Sequence, residues 1–164
     1  LFNEGLIRTE DNELHYRMRK AGYRFCFDPS VVSYQYTRST LFKMLKQKFQ
    51  NGFWIGITAF VCPACLSVFH FVPFLFILSI FLTSILACLG FYIPALILWG
   101  VYLAADITMS ILAVISASPE HKKDITNIFL PFLFPLLHIA YGIGTLIGII
   151  NVPFKISHIK ISKV

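Results

Sequence analysis

Long runs of apolar residues dominate the second part of the chain. Three of them, at about 71–90, 92–117 and 126–150, each approach the ~20 residues that a helix needs to cross a bilayer. A polar run from Ser116 to Asn127 separates the last two. The pattern predicts that residues 57–164 form an all-α transmembrane region with three spanning helices.

A shorter apolar run at about 54–69 leaves the number of spans open. Pro63 interrupts this run, which is compatible with either a fourth, short span or a re-entrant segment. The choice reverses the side of the membrane on which Lys122 and Lys123 lie. The lysines after the last span also change sides, so the positive-inside rule favours neither topology. We favour three spans over four.

The segment before these runs, 38–56, has the pattern of an amphipathic helix over residues 39–53. At 100° per residue, one arc of this helix carries Leu41, Phe42, Leu45, Phe49 and Phe53. The opposite arc carries Lys43, Lys46, Gln47, Gln50 and Asn51. This division is typical of a helix lying in the membrane interface, and the alternative is an amphipathic helix packed on a soluble core.

Residues 1–37 are polar and have a different pattern. A helix is predicted over 10–21, with Thr9 as its cap, an apolar face at Leu14, Met18 and Ala21, and Gly22 as its end. The aromatic-rich residues 23–27 predict a strand, and 31–36 predict a second extended run. These elements are too few to form a core alone, so we interpret them as an α/β remnant, the end of a larger domain.

Composition supports a lipid environment for most of the chain. Hydrophobic residues make up 57% of the sequence and charged residues 13%, whereas soluble domains have ~45–50% apolar residues. The net charge of +6 could indicate nucleic acid. However, Lys43, Lys46 and Lys48 directly precede the apolar region, so membrane lipids with anionic headgroups are the expected partners and nucleic acid is not. The four cysteines are expected to be reduced and buried.

Several residues of the polar segment fall into a known pattern. The order is Glu-Asp-x-Glu-Leu, then Arg, then Gly-Tyr, then Pro, at Glu10, Asp11, Glu13, Leu14, Arg17, Gly22, Tyr23 and Pro29. This pattern resembles the acidic motif of family 2 glycosyltransferases with the GT-A (Rossmann-like) fold. Arg38, Gln47, Gly52 and Trp54 resemble the stretch that leads such enzymes into the membrane. The nearest likeness is the succinoglycan (exopolysaccharide) type, whose final helices carry a cluster similar to His138, Tyr141, Gly142, Gly144 and Gly148.

The resemblance implies roles for individual residues. Asp11 would be the base that takes the proton of the acceptor hydroxyl in an inverting sugar transfer, and Glu10 would shape its site. Arg38, Gln47 and Trp54 would bind the acceptor or the diphosphate. Each assignment has a structural alternative. The acidic pair also suits a helix dipole, and Arg38 also suits a membrane surface.

The chain departs from the family in two ways. Related processive synthases have a Gln-x-x-Arg-Trp motif, but Gln50 stands where the Arg would be, which favours single-sugar addition. The Asp-x-Asp motif, which holds Mg²⁺ or Mn²⁺ under the nucleotide-sugar donor, does not occur in the sequence. We therefore expect the metal site and the donor half upstream, and expect this fragment to be inactive alone.

Two classes of function follow from the sequence. The first is the C-terminal part of a hexosyltransferase-type enzyme of the plasma membrane, multi-pass, with its catalytic part in the cytoplasm. It would transfer a sugar from a nucleotide-sugar to a lipid-linked or polysaccharide acceptor, for exopolysaccharide or cell-envelope glycan synthesis. The second is a small non-catalytic membrane anchor or partner subunit.

Three weaker signals accompany these hypotheses. Cys62 and Cys65 form a C-x-x-C that, with His70, could indicate zinc or redox chemistry, but its apolar setting favours a structural role. Asp106 is the one ionisable residue in the second run. It is expected to hydrogen-bond another helix, at His138 or Tyr141, or to line a polar path. Gly144 and Gly148 form a G-x-x-x-G that permits close helix packing, either within the chain or in a dimer.

Overall fold

The computed structural model describes residues 2–36 and 38–155, and their regular structure is helical throughout. The α-helices are α1 (Glu10–Lys20), α2 (Leu41–Val61), α3 (Val72–Cys88), α4 (Ile93–Ser116), α5 (Pro119–Lys122) and α6 (Leu130–Lys155). Of these, α5 is a single short turn. Three 3₁₀ turns connect them, at Pro63–Cys65, Val68–Phe71 and Ile125–Phe129.

The predicted α/β remnant is wrong for this part of the chain, because none of the described residues forms a strand. Residues 23–27 and 31–36 are exposed and have no regular secondary structure. A strand needs a neighbour to accept its hydrogen bonds, and the described segments provide none. Phe25 instead folds back on α1, where its ring lies 4.8 Å from that of His15.

The first helix begins at the predicted residue, Glu10, and ends at Lys20, one residue before the predicted end. Gly22 has φ 86°, and the amide of Tyr23 donates to the carbonyl of Met18, which is the Schellman arrangement that ends a helix. The Thr9 side chain does not cap the helix. Glu13, not the predicted apolar face, is the most buried residue of α1, and Arg17 donates to its carboxylate at 2.7 Å.

Three helices are long and apolar enough to cross a membrane: Val68–Cys88, Ile93–Ser116 and Ile125–Lys155, with the adjoining 3₁₀ turns included. They match the three predicted runs, and their apolar side chains are largely exposed within the chain. A water-soluble protein does not leave such surfaces uncovered, so this is a membrane protein.

The run at 54–69 is not a single helix. Its first part completes α2, which extends to Val61, eight residues beyond the predicted end at Phe53. Pro63 then opens the first of two 3₁₀ turns. The described residues therefore contain three candidate spans, as favoured, and no fourth.

Glycines hold α2 and α6 side by side. Gly52 and Gly56 of α2 face the backbone of α6 at Tyr141 and Thr145, and a Cβ at either glycine would overlap a carbonyl oxygen there. Gly144 and Gly148 of α6 in turn face the backbone of α2. The predicted close packing at the G-x-x-x-G is confirmed, and of the two alternatives the contact observed is the one within the chain, with α2.

The other spans join this pair through α6 and through aromatic side chains. Gly142 of α6 lies against the carbonyl of Pro73, at the start of α3. Phe76 of α3 stacks on Tyr102 of α4, with ring centroids 4.1 Å apart. The Tyr102 hydroxyl lies 3.3 Å from Nδ1 of His138 on α6. One helix, α6, thus contacts each of α2, α3 and α4.

We predict that Gly52→Ala and Gly144→Ala destabilise the protein, because the added methyl would force the two backbones apart. Overpacking of this kind costs about 1–3 kcal/mol. Thermal unfolding in detergent, followed by circular dichroism, should show a lower melting temperature for both variants. Gly100→Ala on α4 is the matched control, since its Cβ would meet open space. Equal melting temperatures for all three would contradict the packing.

Candidate functional site

The acidic pair Glu10 and Asp11 is held against α2 by the segment just before it. Leu6 packs in the small core with Trp54 and Ile57 of α2. The Thr9 hydroxyl shares a 2.6 Å hydrogen bond with that of Thr58. Thr9 also has φ 70°, which is rare for a β-branched residue and persists only where surrounding contacts enforce it.

Arg8 also binds the segment before α1 to α2, at residues nearer the start of that helix. Its guanidinium donates to Oδ1 of Asn51 at 2.6 Å and to Oε1 of Gln50 at 2.9 Å. Both partners are neutral amides, so the positive charge of Arg8 is not cancelled by them. Because the planar guanidinium makes two hydrogen bonds, it fixes the orientation of Arg8 on α2 as well as its distance. The start of α1 is therefore rigidly placed.

A cavity of about 450 Å³ opens at this junction. Its walls are Phe2, Arg8, Thr9, Glu10, Asp11, Asn12, Asn51, Ile55, His70 and Tyr141. Oε2 of Glu10 is buried without a hydrogen-bond partner in the described part of the chain. Asp11 is exposed, and its Oδ1 accepts from the amide of Asn12 at 2.8 Å. A buried, unpaired carboxylate oxygen is costly and is typical of a group that a ligand completes.

A second, basic cavity of about 170 Å³ lies on the other side of Arg8. It is lined by Arg8, Arg38, Lys43, Lys46, Gln47 and Gln50. Arg38 donates to Oε1 of Gln47 at 3.2 Å, so two of the residues implicated by the resemblance are in direct contact. Four cationic side chains without a carboxylate in the lining favour an anion there.

A third cavity of about 410 Å³ shares His70 and Tyr141 with the acidic one. Its other polar residues are Lys48 and His138, and its apolar walls are Phe69, Pro73, Phe134 and Leu137. The amide of Ser67 donates to Nδ1 of His70 at 3.0 Å. Nδ1 also lies 3.0 Å from the carbonyl oxygen of Ser67, so Ser67 occupies this nitrogen in either tautomer of the ring. Nε2 makes no hydrogen bond to the described residues and is available to a ligand.

Trp54 is the one predicted site residue that lies away from these cavities. It is buried against Leu6 in the core and does not line the cavity of the acidic pair. Its expected role in binding the acceptor or the diphosphate therefore has no geometric support among the residues that the structure describes.

Sequence reasoning missed Arg8, Asn51 and His70 as members of the acidic cavity. Arg8 adjoins the acidic motif, which was the only signal that linear inspection offered. Asn51 and His70 lie 40 residues or more along the chain from the pair Glu10 and Asp11, and only the docking of the segment before α1 on α2 brings them to one cavity.

The C-x-x-C has the structure expected of a structural pair. The cysteines are free, and no group of His, Cys, Asp or Glu among the described residues could hold a metal. Burial, with a hydrogen bond to Cys62, raises the pKa of the Cys65 thiol to about 12. A thiol with so high a pKa is a poor nucleophile at neutral pH. The expectation of burial is wrong for Cys26 and Cys88, which are exposed.

Asp106 differs from its expected role. It is buried on α4, yet its Oδ2 has no hydrogen-bond partner in the described part of the chain. The predicted hydrogen bond to His138 or Tyr141 is absent, and Tyr102, one turn earlier, lies beside His138 instead. Asp106 interacts with His138 electrostatically.

Comparison of the chain with known proteins gave no match, either to a protein-family model, to a curated protein or to a solved structure.

We predict that iodoacetamide alkylates Cys65 at least about a hundredfold more slowly than a free cysteine, whose pKa is ~8.5, at neutral pH. The reason is that a pKa of about 12 leaves almost no thiolate. The rate should rise steeply as the pH approaches that value. Mass spectrometry of the alkylated peptides measures it, with the urea-unfolded protein as control. A rate equal to that of the unfolded chain would contradict the burial.

Proposed function

We propose that the chain is the C-terminal part of a membrane-bound inverting glycosyltransferase. The observation that supports this most strongly is the cavity at the junction of α1 and α2. It combines an exposed carboxylate, Asp11, with the buried and unpaired carboxylate oxygen of Glu10. Two carboxylates in one cleft beside a cationic cavity are well suited to a reaction that removes a proton and releases a diphosphate.

In the proposed reaction, Asp11 takes the proton of an acceptor hydroxyl. The hydroxyl oxygen attacks the anomeric carbon of the donor sugar and forms the new glycosidic bond. The bond between that carbon and the nucleoside diphosphate breaks, and its electron pair leaves with the diphosphate. Attack from the opposite face inverts the anomeric configuration. Asp11 suits the base because solvent and acceptor can reach it, whereas Glu10 suits a positioning group.

Arg8, Arg38, Lys43 and Lys46 are the candidates for contacting the diphosphate. They line the cavity that adjoins the acidic one through Arg8. Because Arg38 and Gln47 are already hydrogen-bonded to each other, we propose that Gln47 orients Arg38. The donor itself and its metal need further residues, since the described part of this chain offers no metal-ligand group.

The polar end of α2 supports a site at the membrane surface. Lys43, Lys46 and Lys48 occupy the first two turns of α2, and the apolar part of α2 packs on the spanning helix α6. Lysines at this position favour the anionic cytoplasmic leaflet, where a nucleotide-sugar would be available. We therefore propose a multi-pass protein of the plasma membrane with its site on the cytoplasmic side.

We predict that Asp11→Asn in the full-length protein lowers sugar transfer by about 10²–10⁴-fold, the usual contribution of a general base. Transfer from radiolabelled nucleotide-sugars to membrane lipids or polysaccharide measures this, with membrane insertion followed by carbonate extraction. Glu10→Gln should reduce transfer less, and Glu120→Gln, on the remote α5, should leave it unchanged. Retained transfer in Asp11→Asn, with normal insertion, would refute the role of Asp11.

The mass of the native protein distinguishes the enzyme from the non-catalytic alternative. An immunoblot of native membranes with an antibody to the C-terminal tail should show a band well above the 18.7 kDa of this chain. A band at that mass would favour an anchor or partner subunit, because a donor-binding half would then be lacking.

A further inference from the structure

The third cavity has a composition that neither the acidic motif nor the basic cavity explains. Its polar residues are Lys48, His70, His138 and Tyr141, and none of the residues that line it is acidic. Three of these four side chains are cationic or become cationic on protonation. The cavity is thus complementary to an anion.

The remaining walls are apolar and come from the membrane-spanning region. Leu137 of α6 and Pro73 of α3 belong to helices long and apolar enough to cross a membrane. Lys48 belongs instead to the basic, polar part of α2. An anionic head beside Lys48 and an apolar tail along α3 and α6 would satisfy both halves of the cavity at the level of the lipid headgroups.

His70 and Tyr141 are the candidate donors of this cavity to a phosphate oxygen. Nδ1 of His70 is occupied by Ser67, whose amide nitrogen and carbonyl oxygen both lie 3.0 Å away, and Nε2 makes no hydrogen bond within the described residues. Tyr141 is held in position because the backbone of α2 packs on its carbonyl. Both residues also line the acidic cavity, so a ligand at this shared wall reaches toward Asp11.

We propose that this cavity binds the phosphate head of a membrane lipid, with Lys48 and His70 as the main phosphate contacts and Leu137 against the lipid chain. In combination with the proposed function, on which this last step rests, the bound lipid is the acceptor. Its phosphate sits at the wall formed by His70 and Tyr141, and its reactive hydroxyl extends into the acidic cavity.

The experiment uses native mass spectrometry of the protein at its native length in detergent. The probes are dioleoyl phosphatidic acid, dioleoylglycerol with the same tails and no phosphate, and inorganic phosphate. We expect phosphatidic acid to bind more tightly than either of the others. The double variant Lys48→Gln/His70→Gln should raise its Kd by about tenfold or more, because two charge-assisted hydrogen bonds are lost.

Control variants distinguish lipid binding at this cavity from effects of charge loss or unfolding elsewhere in the protein. His121→Gln/Lys122→Gln on α5 makes the same chemical changes outside the cavity and should leave the Kd unchanged. Leu137→Trp should weaken phosphatidic acid by filling the apolar side. Melting temperatures establish that each variant is folded, and a variant that fails to fold is replaced by His70→Gln alone.

Three outcomes would overturn the proposal. Equal affinity for dioleoylglycerol would mean that the phosphate is not recognised. Equal affinity for inorganic phosphate would mean that the site takes the free ion rather than a lipid. An unchanged Kd in a folded Lys48→Gln/His70→Gln variant would mean that the lipid binds elsewhere. Asp11→Asn should bind phosphatidic acid normally, so failure of lipid binding is distinguishable from failure of the proposed enzymatic activity.

Discussion

The close contact between α2 and α6 is the constraint on which the rest of the structure depends. Gly52 and Gly56 on one helix and Gly144 and Gly148 on the other let the two backbones touch, so each helix lies in a groove of its neighbour. In lipid there is no hydrophobic drive to join helices, and such packing must come from van der Waals contact and weak Cα–H···O bonds. A single methyl at any of these glycines meets a carbonyl oxygen.

This contact also builds the candidate site. Because α2 lies against Tyr141 of α6, the polar part of α2 is brought beside the start of α3, where the 3₁₀ turn presents His70. The N-terminal segment then docks on the exposed side of α2 through Arg8 and the Thr9–Thr58 hydrogen bond. Three cavities meet where these elements join, and each has its own chemistry: acidic, basic, and cationic with apolar walls. The cost of strained Thr9 and of the unpaired Glu10 oxygen is offset by this docking.

Much of the helical architecture was predictable from local sequence. The spanning helices follow from runs of apolar residues near the length of a bilayer, and Gly22 ends α1 because glycine tolerates a positive φ. The strand at 23–27 failed because β-structure depends on a pairing partner, which aromatic alternation alone does not provide. The end of α2 was predicted too early, at Phe53. The residues that follow, up to Thr58, are buried and therefore carry no amphipathic signal.

By itself the sequence determined the distribution of apolar and charged residues in this protein. It specified three apolar helices suited to lipid, a lysine-rich segment before them, and the acidic pair Glu10 and Asp11. Only the tertiary structure decided the neighbours of that pair. It placed Trp54 in the core, left Asp106 without the expected hydrogen bond to His138 or Tyr141, and brought Arg8 and His70 to the acidic cavity. The physical reason is that composition and spacing set the environment of a residue along its own helix. Contacts across helices depend on how closely two backbones can approach, and here glycines of both α2 and α6 set that distance together.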